Sequence, residues 1–428
     1  MSDRMDLVVE GRAWYRGKLQ HVCIGIEHGR ISRVKKVLKG ERNLDFNERI
    51  ILPGAIDVHA HMREPGMTQK EDFSTGTLAA AFGGVICVFD MPNTRPPTIQ
   101  REDVLEKKET ASKKAWVDFG LFGGVSDASN PQRIADQVVG FKIFMSSTTG
   151  SVLLSEDKDI KRAMELIKPT GKVVSVHAED EHLMIRREES SIRDHAESRP
   201  TKAEGSAIER LVRFSQQNKV NVCHVTSKEG IGAVSKGSFT SEATPHHMLL
   251  DISSCTKKGF CKVNPPLRTK ADKEALLAAF AAGKISMLAS DHAPHTIEEK
   301  QQDFDMVPSG VPGVETSFPL MMALARKEQV GLEALIKAAC EMPSQVFGLN
   351  KGAIEEGKDA DLMVLDPRAI TPISARRLHS KCGWTPFEGY EAIFPQAVFL
   401  RGQLLVEDGG WVGERNGRDV VAKRRILA

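Results

Sequence analysis

The sequence predicts an α/β protein: a (β/α)8 TIM barrel over residues 53–348, with a small composite β domain formed from residues 1–52 and 349–428. Three observations lead there. Short apolar runs alternate with helix-sized segments through the middle of the chain, the signature of βα units around a parallel sheet. The polar residues that carry chemistry collect at the last positions of those runs, where barrel enzymes build their sites. Both chain ends read instead as short strands with glycine turns, and neither is large enough to bury a core alone.

Taken in order, residues 7–9, 21–26 and 30–34 are the N-terminal strands, with a turn at His28-Gly29. The barrel strands fall at 55–61, 85–90, 116–122, 139–144, 172–177, 220–225, 238–244 and 285–291. Between them, 75–82 is alanine-rich, while 203–216 and 272–282 carry apolar residues at helical spacing. A doubly wound open sheet would want a glycine-rich phosphate loop after its first strand, and none is there. Residues 361–365 and 397–406, with the Asp408-Gly409-Gly410 turn, supply the C-terminal strands and a hairpin. No internal repeat or low-complexity segment interrupts this order.

Composition narrows the class. A net charge of +2 over 428 residues offers no field for nucleic acid. No apolar run has membrane-spanning length, and no charged-then-apolar leader opens the chain. The seven cysteines are odd in number and scattered without CxxC spacing, which argues for reduced thiols in a cytoplasm rather than a disulfide frame or zinc knuckle.

The run Asp57-Val58-His59-Ala60-His61-Met62-Arg63-Glu64-Pro65-Gly66 is the most informative stretch. Histidines at i and i+2 on an extended segment share a face, side by side at a strand end. Neutral imidazole is the commonest metal ligand, and Arg63 adds a fixed cation suited to a carboxylate. A surface HxH is the bland alternative, but four further partners converge with this one. His59, His61 and Asp291 offer one divalent metal two nitrogens and an oxygen, and His177 and His224 offer two nitrogens to a second. Lys142, inside the apolar strand Gly140-Phe141-Lys142-Ile143-Phe144, is the oddity. Burial disfavours a charged ammonium, and a neutral amine can add carbon dioxide to become a bridging carbamate. Alone, Lys142 would read as a snorkelling lysine. His246 and His247 read as supporting groups, His292 as facing away, and His182, His195 and His379 as surface residues. Asn264, in a rigid Asn-Pro-Pro loop, can meet a substrate amide. The polar stretch 298–313 is either a mobile flap or an ordered binding loop.

The HxH run, Asp90-Met91-Pro92-Asn93-Thr94, His177-Ala178-Glu179, Cys223-His224-Val225-Thr226, Lys262-Val263-Asn264-Pro265-Pro266-Leu267-Arg268 and Ser290-Asp291-His292-Ala293-Pro294-His295 together resemble the dihydroorotases of the amidohydrolase superfamily. The likeness runs from about residue 50 to 350. HxH alone marks only the superfamily; the Arg-Glu-Pro-Gly, Met-Pro-Asn-Thr and Asp-His-Ala-Pro-His runs are more specific. The resemblance implies reversible hydrolysis of (S)-dihydroorotate to N-carbamoyl-L-aspartate in de novo pyrimidine (UMP) biosynthesis. It implies two zinc ions per chain, one on His59, His61 and Asp291 and the other on His177 and His224, which together activate a hydroxide with Asp291 as general acid and base. A carboxylated lysine bridges the metals in many members and an aspartate in others; Lys142 matches the lysine type, and Asp127 and Asp136 are the nearby acids. The substrate carboxylate is expected on Arg63, Asn93 and His295. His61, Asn264 and the backbone of Ser309 and Gly310 are expected to line the rest. Allantoinases and hydantoinases are the alternative, though Arg63 and Asn93 favour a carboxylated ring. A non-catalytic scaffold in a pyrimidine-pathway assembly is a further class, disfavoured because every ligand is kept. The family also implies a homo-oligomer.

Overall fold

The computed structural model describes residues 4–126, 129–148, 153–215, 217–255 and 258–421. Eight parallel strands, β5 (Ala55–Ala60), β6 (Val85–Asp90), β7 (Asp118–Gly124), β8 (Gly140–Phe144), β9 (Val173–His177), β10 (Lys219–Val222), β11 (Thr240–Ala243) and β12 (Met287–Leu288), follow one another in spatial order. The circle closes where Ala60 bridges His292 in parallel and His61 N–H donates to the His292 carbonyl at 2.7 Å. Strands covered on both faces need apolar side chains throughout. Val-Ile-Cys-Val-Phe-Asp in β6 is buried at every position, and so is Gly-Phe-Lys-Ile-Phe in β8. Each predicted barrel strand overlaps an observed one, offset by up to three residues.

The second sheet mixes the chain ends. β1 (Met5–Tyr15), β2 (Lys18–Glu27), β3 (Arg30–Lys35) and β4 (Gly40–Pro53) come from the N-terminus. β13 (Leu362–Leu365), β16 (Ala397–Leu400), β17 (Gln403–Glu407) and β18 (Gly410–Trp411) come from the C-terminus, while β14 (Thr371–Pro372) and β15 (Glu391–Ala392) form a separate pair. The halves join where β4 runs antiparallel to β13, Leu52 opposite Met363. β4 had no signal in the sequence, because its first half is polar and exposed and only Ile50–Pro53 is apolar and buried. A buried charge cluster ties this sheet to the barrel. Lys351 Nζ reaches Asp118 of β7 at 2.7 Å, Asp361 at 2.6 Å and Asp359 at 3.1 Å.

One expectation needs correction. Cys255 and Cys261 form a disulfide, because the turn Lys258–Cys261 brings Cys261 back to a Cα separation of 6.3 Å. The other five cysteines are buried and unpaired. At the start of the 298–313 stretch, which the sequence left open between flap and binding loop, Ile297–Lys300 is helical, with a capping box between Thr296 and Glu299. Among the described residues, no helix is long and apolar enough to cross a membrane.

Candidate metal centre and substrate cavity

One cavity sits at the C-terminal ends of the barrel strands. Lining it are His59, His61, Arg63, Asn93, Lys142, His177, His224, Asn264, Asp291, Ser309 and Gly310, with Phe144, Thr148 and Ala293. Every site residue expected from the sequence is therefore brought to one place, except His295, which stands behind Arg63. Strand periodicity explains the first pair: His59 is the penultimate residue of β5, and His61 follows two positions on.

The donor atoms fit a divalent cation. Ligand atoms of His59, His61 and Asp291 all lie within 4.8 Å of one another. Asp291 Oδ1 is 3.1 Å from His61 Nε2 and 3.4 Å from His59 Nε2. The outer nitrogens are already committed: His59 Nδ1–H donates to Glu242 at 2.9 Å, and His61 Nδ1–H donates to Asn93 Oδ1 at 2.7 Å. That fixes both rings with Nε2 toward the centre. Burial and Lys142 push the His59 imidazole down, yet Asp291, Cys223 and Glu242 outweigh them and lift it to about 10. So strong a pull on a proton marks a point that favours positive charge. Burial holds His61 down at about 3, leaving a neutral ring.

The second pair follows the same logic. His177 donates Nε2–H to Glu179 at 2.8 Å, so its Nδ1 lone pair faces His224 Nε2 at 3.0 Å. Glu179 is fully buried, and Arg199 holds it in place. Burial keeps His224 well below the ordinary histidine value. With both rings neutral, these two nitrogens either share one proton or can both turn their lone pairs to a cation. Lys142, fully buried, donates to Cys223 Sγ at 2.9 Å. Asp136, one of the alternative acids, is half-exposed and paired with Arg101; Asp127 lies outside the described residues.

The side of the cavity away from these ligands is cationic. Arg63 is 2% exposed, and among the described residues no carboxylate lies within ion-pair distance of it. Burial lowers its guanidinium to about 10. His295 sits 3.1 Å behind it. Its Nε2 also lies 3.0 Å from the Ser309 carbonyl, and Nδ1 lies 3.1 Å from Lys70 Nζ, so the ring ties Arg63, Lys70 and Ser309 together. Burial and then Arg63 hold His295 down at about 3. Asn264 Oδ1 accepts from Ser309 Oγ at 3.1 Å and from His195 Nε2 at 2.9 Å, which turns its amide N–H groups toward the cavity.

His195 thus corrects the sequence reading. It is 4% exposed, clamped between Glu189 and the Val263–Asn264 segment, because the helix Ile192–Ser198 packs its inner face against that loop. His379 is half-buried rather than at the surface, stacked on Phe82 with ring centroids 3.6 Å apart and bonded to Glu315. His182 is exposed, as expected. His247 donates to the Pro265 carbonyl at 2.9 Å and supports the Asn264 loop, and His292 turns away to accept from Gly313 N–H. Glu242, Glu179 and Lys70 were missed. Glu179 had a signal, two residues after His177; the other two had none.

The amidohydrolase family model matches residues 50–403. The chain is 40% identical to a dihydroorotase from Methanosarcina mazei, over 92% of each chain. It is 36% identical to a dihydroorotase from Archaeoglobus fulgidus, over 97% of this chain and all of that one. Among solved structures, it superposes on the L-hydantoinase (dihydropyrimidinase) from Arthrobacter aurescens with a TM-score of 0.92. That pair is 26% identical, over 97% of this chain and 99% of the other.

Proposed function

This chain belongs to the amidohydrolase family, among its dihydroorotase members, and from that premise we infer that it interconverts (S)-dihydroorotate and N-carbamoyl-L-aspartate in pyrimidine biosynthesis. The observation that carries the substrate is Arg63, a buried guanidinium that faces the cavity beside the histidine cluster and, among the described residues, has no carboxylate within ion-pair distance. A ring bearing a carboxylate supplies that missing partner through two parallel hydrogen bonds. The hydantoinases are the rival reading, favoured by the close superposition. Their neutral rings would leave Arg63 unanswered.

The family is metal-dependent, and two zinc ions are the reading preferred here. His59, His61 and Asp291 would hold one, His177 and His224 the other, and Lys142, carboxylated on Nζ, would bridge them. When bound, the metals lower the pKa of water to near neutrality and polarise the ring carbonyl. Asp291 does the proton work. Burial raises its carboxyl, but the charge on His59 and the close His61 ring hold it well below the usual range, so it is ionised. It takes the proton of the attacking water and returns it to the ring nitrogen as the amide C–N bond breaks. Arg63 and Asn93 hold the carboxylate, with His295 fixing Arg63 from behind, while Asn264 and the backbone of Ser309 and Gly310 orient the ring. Cyclisation runs the same path backwards. A cytoplasmic location fits the five unpaired thiols, and a homo-oligomer is proposed on family grounds alone.

The test is hydrolysis of (S)-dihydroorotate by zinc-loaded protein, with allantoin and dihydrouracil alongside. Turnover of dihydroorotate alone, lost on chelation and restored by zinc, is the expected result. Turnover of dihydrouracil or allantoin instead would hand the chain to the neutral-ring enzymes, and no turnover of any would overturn the enzyme reading.

A further inference from the structure

Lys300 is 1% exposed, and among the described residues no carboxylate lies within ion-pair distance of it. A buried cation with no counter-ion is costly and calls for a reason. Its ammonium donates to three main-chain carbonyls, Pro308 at 2.9 Å, Gly310 at 2.9 Å and Lys262 at 3.3 Å. A lysine ammonium has three N–H donors, and all three are used. The Trp384 ring covers its outer side, 5.6 Å away. The three carbonyls belong to two separate loops. One runs from Lys262 into Asn264, and the other carries Ser309 between Pro308 and Gly310. Gly310 N–H also donates to the Lys262 carbonyl at 2.9 Å, so the loops are stitched at the point Lys300 grips.

The grip has a directional consequence. In a planar trans peptide the C=O and the next N–H point opposite ways. Pulling the Pro308 carbonyl onto Lys300 turns the Ser309 N–H away from it, toward the cavity that Ser309 lines. Among the described residues that N–H donates to nothing. We propose that Lys300 is a positioning residue for substrate binding: by holding the carbonyls of Lys262, Pro308 and Gly310, it fixes the Ser309 N–H and the Asn264 amide as one rigid donor edge. The substrate half of this rests on the dihydroorotase reading; the loop half does not. Lys300 touches no reacting atom and acts only through those two loops.

The experiment compares Lys300→Met with the unmodified zinc-loaded protein in steady-state kinetics on (S)-dihydroorotate, zinc content and amide hydrogen exchange. Loss of the grip raises KM at least tenfold, with kcat within about threefold and zinc content unchanged. Amide exchange accelerates at least tenfold in 262–264 and 309–311 while the barrel strands exchange as before. An unchanged KM with unchanged local exchange overturns the proposal. So does faster exchange throughout the barrel, or loss of zinc, since either would make Lys300 a general stability residue. Should Lys300→Met not fold, Lys300→Gln, which keeps two N–H donors, carries the same readouts with an intermediate rise in KM, and wild-type values there refute the grip. If the unmodified protein leaves dihydroorotate intact, the substrate reading is what fails, and the exchange measurement still judges the loops.

Discussion

Replacing Arg63 with methionine should move folding and binding in opposite directions. The guanidinium is 2% exposed, and burial lowers it from 12.5 to about 10, even with Asp291, Asp90, Glu299 and Glu71 pulling the other way. At 1.36 kcal/mol per pH unit, holding the charge there costs the fold about 3 kcal/mol. Methionine fills similar volume without that cost. It forfeits two hydrogen-bond contacts, from Arg63 Nε to the Pro294 carbonyl and from Nη2 to His295 Nε2, both at 3.1 Å and worth about 1 kcal/mol each. The variant is therefore expected to be about 1 kcal/mol more stable than the wild type in the metal-free state. Binding loses two charge-assisted hydrogen bonds at about 1.5–3 kcal/mol each. That is a drop in kcat/KM on dihydroorotate of about 10²–10⁴-fold. Urea melts of the two proteins and steady-state kinetics give both numbers. A variant that is less stable than wild type and keeps kcat/KM within threefold would refute the reasoning on both counts.

Glu242→Gln weakens the carboxylate behind His59, and loss of such a partner typically costs 10–100-fold in metal affinity; a chelator-competition constant within twofold of wild type would remove Glu242 from that role. Asp291→Asn keeps a side chain of the same shape but cannot accept the proton, so turnover should fall by about 10²–10⁴-fold, and full activity would take Asp291 out of proton transfer. His247 is held down at about 4 by burial and is neutral in the fold. Below its ordinary 6.5 the unfolded chain binds the proton that the fold refuses, so stability falls as pH drops from 6.5 toward 4, by about 1.4 kcal/mol at pH 5.5. In melts at pH 7.5 and 5.5, His247→Gln should lose about that much of the acid sensitivity, and an unchanged pH dependence would place it elsewhere.

The barrel and the side chains gathered at its strand ends were legible because both are local. An apolar run ending in a polar residue reports a buried parallel strand and its functional end at once, which is why His59, His61, His177, His224 and Asp291 could all be read. β4 escaped because it is half exposed and needs β1 and β13 beside it to be a strand at all. His195 escaped because its burial comes from packing against residues nearly seventy positions away. Lys300 escaped because its partners are carbonyls, which every residue has.

What no pattern could reveal is the backbone strain at the centre. Arg63, His224 and Asp291 have φ of 59°, 36° and 44°, a region where non-glycine residues cost about 1–3 kcal/mol each. Such residues persist only where their neighbours over-determine them. Each has a buried acid gripping the backbone close by. Asp90 accepts from Met62 N–H at 2.7 Å, directly before Arg63. Asp57 accepts from Ser290 N–H at 3.1 Å, directly before Asp291. Glu204 accepts from Thr226 N–H at 2.7 Å, two residues after His224. Burial lifts all three acids, Glu204 to about 7. The fold accepts that cost beside three strained residues because a carboxylate can hold a main-chain N–H more tightly than a neutral acceptor can. Asp57 and Asp90 were visible in the motifs, and Glu204 sat unremarked in the helix Thr201–Phe214. Their shared task emerges only once the strand ends stand side by side: the residues that would do the chemistry are bent into place by acids that do none.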